Sequence, residues 1–236
     1  MENVFHFKIA RRLFLSLLSI ILCTSCSNDD YQYAIPSTVT ALVKFDISRM
    51  KGTHEALKGF KIAEKLKDAG VDWTKTVYGF ETIDGNFGIC MKVDDSGDLK
   101  DAFDKMSCEG QCGKVRKQGD FFFTDIDNSW AVGFSKKSLL IVGPVSAASL
   151  TDTQHGMLRM LRQDEDASVI VSPIYAKLDS MESAVAMVAQ IQSLPEKFVA
   201  PFTIGAPKEA DASQILVAVN FSMDKGVVIM DGETFS

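Results

Sequence analysis

A series of short apolar segments separated by turn residues constrains the fold most strongly. The segment ALVKFDI, from Ala41, alternates with period two, which is typical of a strand. Strands are also predicted at about Thr76–Ile83 and Phe87–Val93, joined by the hairpin signal Asp84-Gly85-Asn86, because Gly and Asn tolerate positive φ. The predicted helices and the next strand lie at about His54–Ala69, Leu99–Met106 and Gly113–Lys117. This order is the ferredoxin-like βαββαβ pattern.

The second half of the chain continues with strand and helix signals. The segments FFFTDID, WAVGF and SLLIVG are three strand candidates in a meander. Apolar residues at helical spacing over about Ile174–Leu194 form the strongest helix prediction, and Pro195 stops that run. The remaining elements are a helix at about Val145–Arg162 and strands at about Phe198–Ile204, Gln214–Phe221 and Val227–Met230. The predicted class is α+β, a mainly antiparallel sheet with helices packed on one face.

The amino terminus has the pattern of an export signal. Lys8, Arg11 and Arg12 form a basic head before an apolar run of ten residues, Leu13–Leu22. That run is about half the ~20 residues that cross a bilayer as a helix, so it indicates a cleaved signal peptide covering residues 1–25.

The residues after the apolar run resemble the lipobox of bacterial lipoproteins. Thr24 and Ser25 are small and precede Cys26, which implies cleavage between Ser25 and Cys26 and acylation of the Cys26 thiol. Cys23 is the rival position, but the bulky Leu22 before it fits cleavage poorly. An ordinary signal peptide with an incidental cysteine is the alternative. The resemblance implies a diacyl or triacyl anchor, palmitate among its chains, that holds the protein in membrane lipid.

The four residues that follow, Ser27, Asn28, Asp29 and Asp30, resemble the acidic export tag of lipoproteins in Bacteroides-type bacteria. This resemblance implies a location in the outer membrane, on the cell surface. A solvated tether is the alternative, and a location on the periplasmic face stays open. Residues 26–36 are then the lipidated cysteine and tether, and residues 37–236 are the α+β domain.

A wider resemblance covers residues 13–50. The lipobox, the tether YQYAIP and the strand that ends in Asp46 are similar to an uncharacterised lipoprotein family of Bacteroides-type bacteria, a domain of unknown function. The family resemblance implies that this chain is a shortened member. The segment from Ala206 faintly echoes the segment from Ala34, which indicates the start of a second repeat near residue 206.

Charge and cysteine content limit the function classes. Three of the 25 basic and one of the 31 acidic residues precede Cys26, so the remainder has 22 basic and 30 acidic residues and a formal charge of −8. An acidic surface disfavours nucleic acid as a partner. Cys90, Cys108 and Cys112 follow the leader. In an oxidising compartment Cys108 and Cys112 have spacing for a small disulfide loop, with free buried thiols as the equal alternative.

The sequence contains no local catalytic or metal motif that is complete. The loop VDDSGDLKD, from Val93, resembles a calcium loop but has Leu99 where Gly is needed, so we interpret it as an acidic helix start. His54 and His155 have no triad or zincin context. Asp125 and Asp127 share a strand face, which indicates a solvated surface more than acid–base chemistry. No cofactor, metal or nucleotide site is predicted.

Two function hypotheses stay open. The favoured one is a membrane-anchored module of the cell envelope that binds a glycan, a peptide or an envelope protein. An aromatic platform of Phe121, Phe122, Phe123 and Trp130 is a minor version of this hypothesis. The alternative is a glycan- or peptide-acting hydrolase whose carboxylates converge only in the fold. A separation of about 5–10 Å between two of Asp46, Asp125 and Asp127 would favour the hydrolase.

Overall fold

A computed structural model describes residues 30–50, 65–195, 199, 214–224 and 227–235 of this chain. The described residues from Tyr31 onward form one compact unit, built on a ten-stranded sheet whose described neighbouring strands are all antiparallel. The strands are β1 (Ala41–Phe45), β2 (Val77–Glu81), β3 (Phe87–Lys92), β4 (Arg116–Gln118), β5 (Phe121–Ile126), β6 (Trp130–Phe134), β7 (Ser138–Gly143), β8 (Val185–Gln190), β9 (Leu216–Asp224) and β10 (Val227–Phe235). Their spatial order is β10-β9-β8-β1-β2-β3-β7-β6-β5-β4.

The described residues contain three α-helices: α1 (Ser96–Cys108), α2 (Leu150–Arg162) and α3 (Pro173–Ser180). Asp95 caps α1, because its side chain accepts hydrogen bonds from the backbone N–H groups of Gly97 and Asp98. Ser172 caps α3 in the same way, and Pro173 occupies its first turn, where the missing N–H costs nothing. Short 3₁₀ turns precede or follow several of these elements, including Asp30–Ala34 and Ile47–Arg49.

Both faces of the central part of the sheet are covered, which β7 shows most clearly. Leu140 and Val142 point to one face, which we call the α2 face because Met157 of α2 packs there. Leu139 and Ile141 point to the other, the α1 face, where Phe103 of α1 packs. Alternate residues of a strand lie on opposite faces, so a strand covered on both sides is apolar throughout.

The helices are therefore distributed over two faces. Met157 of α2 and Leu178 of α3 belong to the core of the α2 face, whereas Leu99 and Phe103 of α1 belong to the core of the α1 face. A mainly antiparallel sheet with helices is confirmed. The prediction that the helices pack on one face is not confirmed, because apolar stripes on the helices do not specify which side of a fully apolar strand they cover.

The ferredoxin-like arrangement is also not confirmed. Leu42 of β1 pairs directly with Phe80 of β2 in antiparallel orientation, and β4 lies at the far edge of the sheet beside β5. A split βαβ unit would instead place another strand between parallel β1 and β2. The described elements β1, β2, β3, α1 and β4 follow one another along the chain as predicted, but their order alone did not determine the pairing.

The helix predicted over Ile174–Leu194 is wrong in its second half. α3 ends at Ser180, and β8 occupies Val185–Gln190 between β1 and β9. Val188 and Ala186 are buried on the α2 face, while Met187 lies on the other side beside Val219 of β9. A strand covered on both faces loses its polar alternation, so its apolar spacing can be mistaken for the continuation of a helix.

Other predicted elements are confirmed. The hairpin of β2 and β3 turns at Gly85, whose φ is +76°, and the N–H of Asn86 donates to the Thr82 side chain. The predicted strands in FFFTDID, WAVGF and SLLIVG correspond to β5, β6 and β7, and α2 falls within the predicted helix at 145–162. Two predicted elements lie largely outside the described residues: the helix at 54–69, with His54, and the strand at 198–204.

Candidate functional site

The segment after Asp30 packs into the α2 face. Tyr31, Ala34 and Ile35 are buried, although the sequence placed them in a tether. The Tyr31 hydroxyl donates to the Thr76 carbonyl at 2.7 Å, and the Tyr31 carbonyl accepts from the Ser138 hydroxyl at 3.0 Å. The described fold therefore begins by Tyr31, six residues before the expected domain start at residue 37. The aromatic and apolar residues in YQYAIP were the sequence signal that could have predicted this burial.

A buried polar cluster fixes that segment. The side chain of Gln32 donates to the Tyr78 hydroxyl at 3.0 Å and accepts from the Tyr175 hydroxyl at 2.8 Å. Burial raises the pKa of Tyr78, and the neighbouring tyrosines raise it further. Tyr78 is consequently neutral at physiological pH. The cluster joins three separate parts of the chain, so we interpret it as structural.

Among the three carboxylates named for the hydrolase hypothesis, Asp46 lies apart from Asp125 and Asp127. Asp46 caps the 3₁₀ turn after β1 and lies 3.9 Å from Arg49. Asp125 lies on β5, five strand positions away in the sheet, which at about 4.8 Å per strand is about 24 Å. Asp127 lies in the turn after β5, with φ of 52°. The distance from Asp46 to Asp125 and Asp127 is therefore far larger than the carboxylate separation of a glycosidase.

The aromatic segment packs against the cores of both faces. Phe123 is buried on the α2 face, whereas the Phe122 ring stacks on Phe134 with centroids 5.0 Å apart on the α1 face. Phe121 is half-buried beneath Arg162, whose guanidinium carbon lies 5.3 Å from its ring centroid. Trp130 is half-buried on the α1 face. These rings point to both faces, so they form no sugar platform.

The remaining sequence candidates have structural roles or lie apart. The VDDSGDLKD loop is the start of α1, as interpreted above, and His155 is exposed on α2. Cys108 is exposed, Cys112 is half-buried, and both thiols are free in the structure, as is that of buried Cys90. Burial raises the pKa of the Cys90 thiol, which makes it a poor nucleophile.

The predicted lipidation site, Cys26, lies outside the described residues, together with Ser25, Ser27, Asn28 and Asp29. Asp30 is described and begins the 3₁₀ turn Asp30–Ala34. In the part of the chain that the structure describes, no helix has the length and apolar character needed to cross a membrane. Within those same residues, no group of three or more His, Cys, Asp or Glu side chains could hold a metal ion.

The two edges of the sheet differ. β4 has three residues, Arg116–Gln118, and all are exposed and polar or charged. β10 has nine residues, and all those from Val227 to Thr234 are exposed. Four consecutive exposed residues of β10 are apolar: Val227, Val228, Ile229 and Met230. Short, charged edges resist strand addition, whereas long apolar edges invite it. The sequence predicted a strand at 227–230 but did not indicate that it lies at an edge.

The fold has relatives of known structure. One crystal form of TP0453 covers 86% of this chain and 78% of that chain, with a TM-score of 0.51 at 11% identity. A second crystal form covers 84% and 76%, with a TM-score of 0.50 at 12% identity. At this identity the similarity concerns the fold alone.

The chain belongs to a family described as a domain of unknown function (DUF4836), which matches residues 47–236. No curated protein matches this chain. The described residues present a long exposed strand edge at β10.

Proposed function

We propose that this protein is a lipoprotein of the bacterial cell envelope, anchored through acylated Cys26, which acts as a binding module. The observation that carries the proposal is the order of signals in residues 8–26: basic head, ten-residue apolar run, small pair and cysteine. Each buried CH₂ of an acyl chain contributes about 0.8 kcal/mol, so two or three chains hold a protein in a bilayer far more firmly than one.

Binding fits the described residues better than hydrolysis does. Asp46 follows β1 and Asp125 lies on β5, five strand positions away, so these two carboxylates cannot act on one glycosidic bond. The partner would be a glycan, a peptide or another envelope protein. The acidic balance of the chain disfavours nucleic acid.

The lipid anchor is tested by metabolic labelling with a fatty-acid probe. Wild-type protein should be labelled, and Cys26→Ala should lose all label because the acylated thiol is gone. Cys23→Ala is the matched control and should keep the label. Equal labelling of wild type and Cys26→Ala would contradict the anchor.

We place the anchored protein on the outer face of the outer membrane, supported by Ser27, Asn28, Asp29 and Asp30. Protease added to whole cells should degrade the wild type and spare a variant with Asp29→Ala and Asp30→Ala. Because Asp30 begins a 3₁₀ turn, the melting temperature of the variant should be compared with that of wild type. Wild-type protein that resists the protease would place it on the periplasmic face.

A further inference from the structure

β10 presents an open edge that is apolar over its first four residues. Val227, Val228, Ile229 and Met230 are 62%, 57%, 47% and 60% exposed. Within the described part of the chain β10 pairs with β9 alone, so the backbone groups on its outer side have no strand beside them there. Exposed apolar patches mark contact sites, and an open strand edge adds a row of hydrogen-bonding groups.

An open backbone edge beside exposed apolar side chains is a better site for another strand than for a lipid surface. Lipid would cover the four apolar side chains, but it would leave the outer N–H and C=O groups of β10 without partners, and open sheet edges do not occur in hydrocarbon. An added strand satisfies both requirements, because it supplies main-chain hydrogen bonds and apolar cross-strand contacts together.

We propose that β10 pairs with β10 of a second copy of this chain, antiparallel and centred on Ile229. In this register Ile229 faces Ile229 of the other copy, Val228 faces Met230, and Val227 faces Asp231. Val228, Ile229 and Met230 then meet apolar partners, and no acidic residue faces another. Full overlap centred on Asp231 would instead place two like charges directly opposite, which is destabilising.

Contacts inside the protein favour the same half of β10. Lys177 of α3 forms an ion pair with Glu233 at 2.5 Å, and its ammonium lies 5.4 Å from the Phe235 ring centroid. The end of β10 near Phe235 is therefore flanked by α3. The residues Val227–Met230, at the other end, are the exposed apolar part.

A five-residue strand pair is small beside the roughly 1,000 Å² that a stable interface buries. The pairing therefore depends on a high local concentration, and in this respect it rests on the proposed lipid anchor, which confines copies to one surface. In dilute solution the chain should be monomeric.

The register is tested by engineered disulfides in the full lipidated protein. The protein is reconstituted in phosphatidylcholine–phosphatidylglycerol vesicles, in a Cys108→Ser background that removes the exposed native thiol. Mild oxidation should yield a disulfide-linked dimer of Ile229→Cys, because the two β carbons are directly opposite. Asp231→Cys should yield almost none, since its two copies lie four residues out of register, about 13 Å apart, beyond disulfide reach.

Ile83→Cys controls for random collision, because Ile83 is an exposed isoleucine in the turn after β2, away from β10. Equal dimer from all three variants would overturn the proposal, as would a dimer of Asp231→Cys alone or no dimer at all. Flotation of the vesicles reports the anchor independently. If the protein does not float, the lipid anchor fails, and oxidation at high protein concentration in solution still decides whether β10 pairs with itself.

Discussion

β7 and β10 belong to one antiparallel sheet and meet opposite surroundings. All six residues of β7 are buried, with α2 packed on one side and α1 on the other. Eight of the nine residues of β10 are exposed. Both strands contain a run of Val, Ile, Leu or Met, so composition alone does not account for the difference. Position in the sheet does, because β7 lies between β3 and β6 whereas β10 is an edge.

The difference separates residues that stabilise the fold from residues that the proposed pairing would use. Each side chain of β7 is fixed by neighbours on both sides, so a change there should affect folding. The apolar residues of β10 stabilise little in the described chain, which leaves them available for a partner. Natural edge strands are normally short or charged, as β4 is, and β10 departs from that rule.

The largest effect is expected for Leu140→Asp in β7. Leu140 is fully buried, and a carboxylate there would have no partner. Burying such a group costs several kcal/mol, against a typical total stability of about 5–15 kcal/mol. The variant should be largely unfolded, as measured by circular dichroism and thermal unfolding. A melting temperature within a few degrees of wild type would show that β7 is not enclosed.

An intermediate effect is expected for Tyr78→Phe. The change leaves the buried amide of Gln32 without one of its partners, which should destabilise by about 1–3 kcal/mol. Tyr33→Phe is the matched control, because the Tyr33 hydroxyl bonds to Glu165 at an exposed position. Urea unfolding of both variants measures the difference. Equal midpoints would indicate that the segment Tyr31–Val39 is not held by the buried cluster.

The smallest effect is expected for Ile229→Asp in β10, the same kind of change as in β7. Ile229 is exposed, so the stability of the dilute protein should change by no more than about 0.5 kcal/mol. Thermal unfolding of this variant, beside Leu140→Asp, gives the contrast directly. A loss as large as that of Leu140→Asp would mean that β10 contributes to the core.

Local signals predicted much of the inner sheet. Asp84-Gly85-Asn86 specified the β2–β3 hairpin, and Asp95 with the residues after it marked the start of α1. Prediction failed where burial depends on distant neighbours. β8 was mistaken for helix because strands on both sides and cores on both faces remove its polar alternation. YQYAIP was assigned to a tether because its contacts, Thr76 and Ser138, are far along the chain.

The candidate sites divide in the same way. The proposed lipid anchor depends on consecutive residues, so the order of residues 8–26 was enough to predict it. The open edge of β10 could not be predicted in this way, because the sequence VVIM at 227–230 predicts a strand but not which strands lie beside it. The separation of Asp46 from Asp125 likewise became apparent only with the strand order.

Amide hydrogen exchange in β10, β7 and β4 tests the central claim most directly. In dilute protein, amides of β7 should exchange slowly, and amides on the outer side of β10 should exchange rapidly because no strand protects them. On vesicles at high surface density, the segment Val227–Asp231 should become protected, while Arg116–Gln118 of β4 should not change. Protection of β10 equal to that of β7 in the dilute protein, or exchange in β10 that is independent of density, would contradict the account.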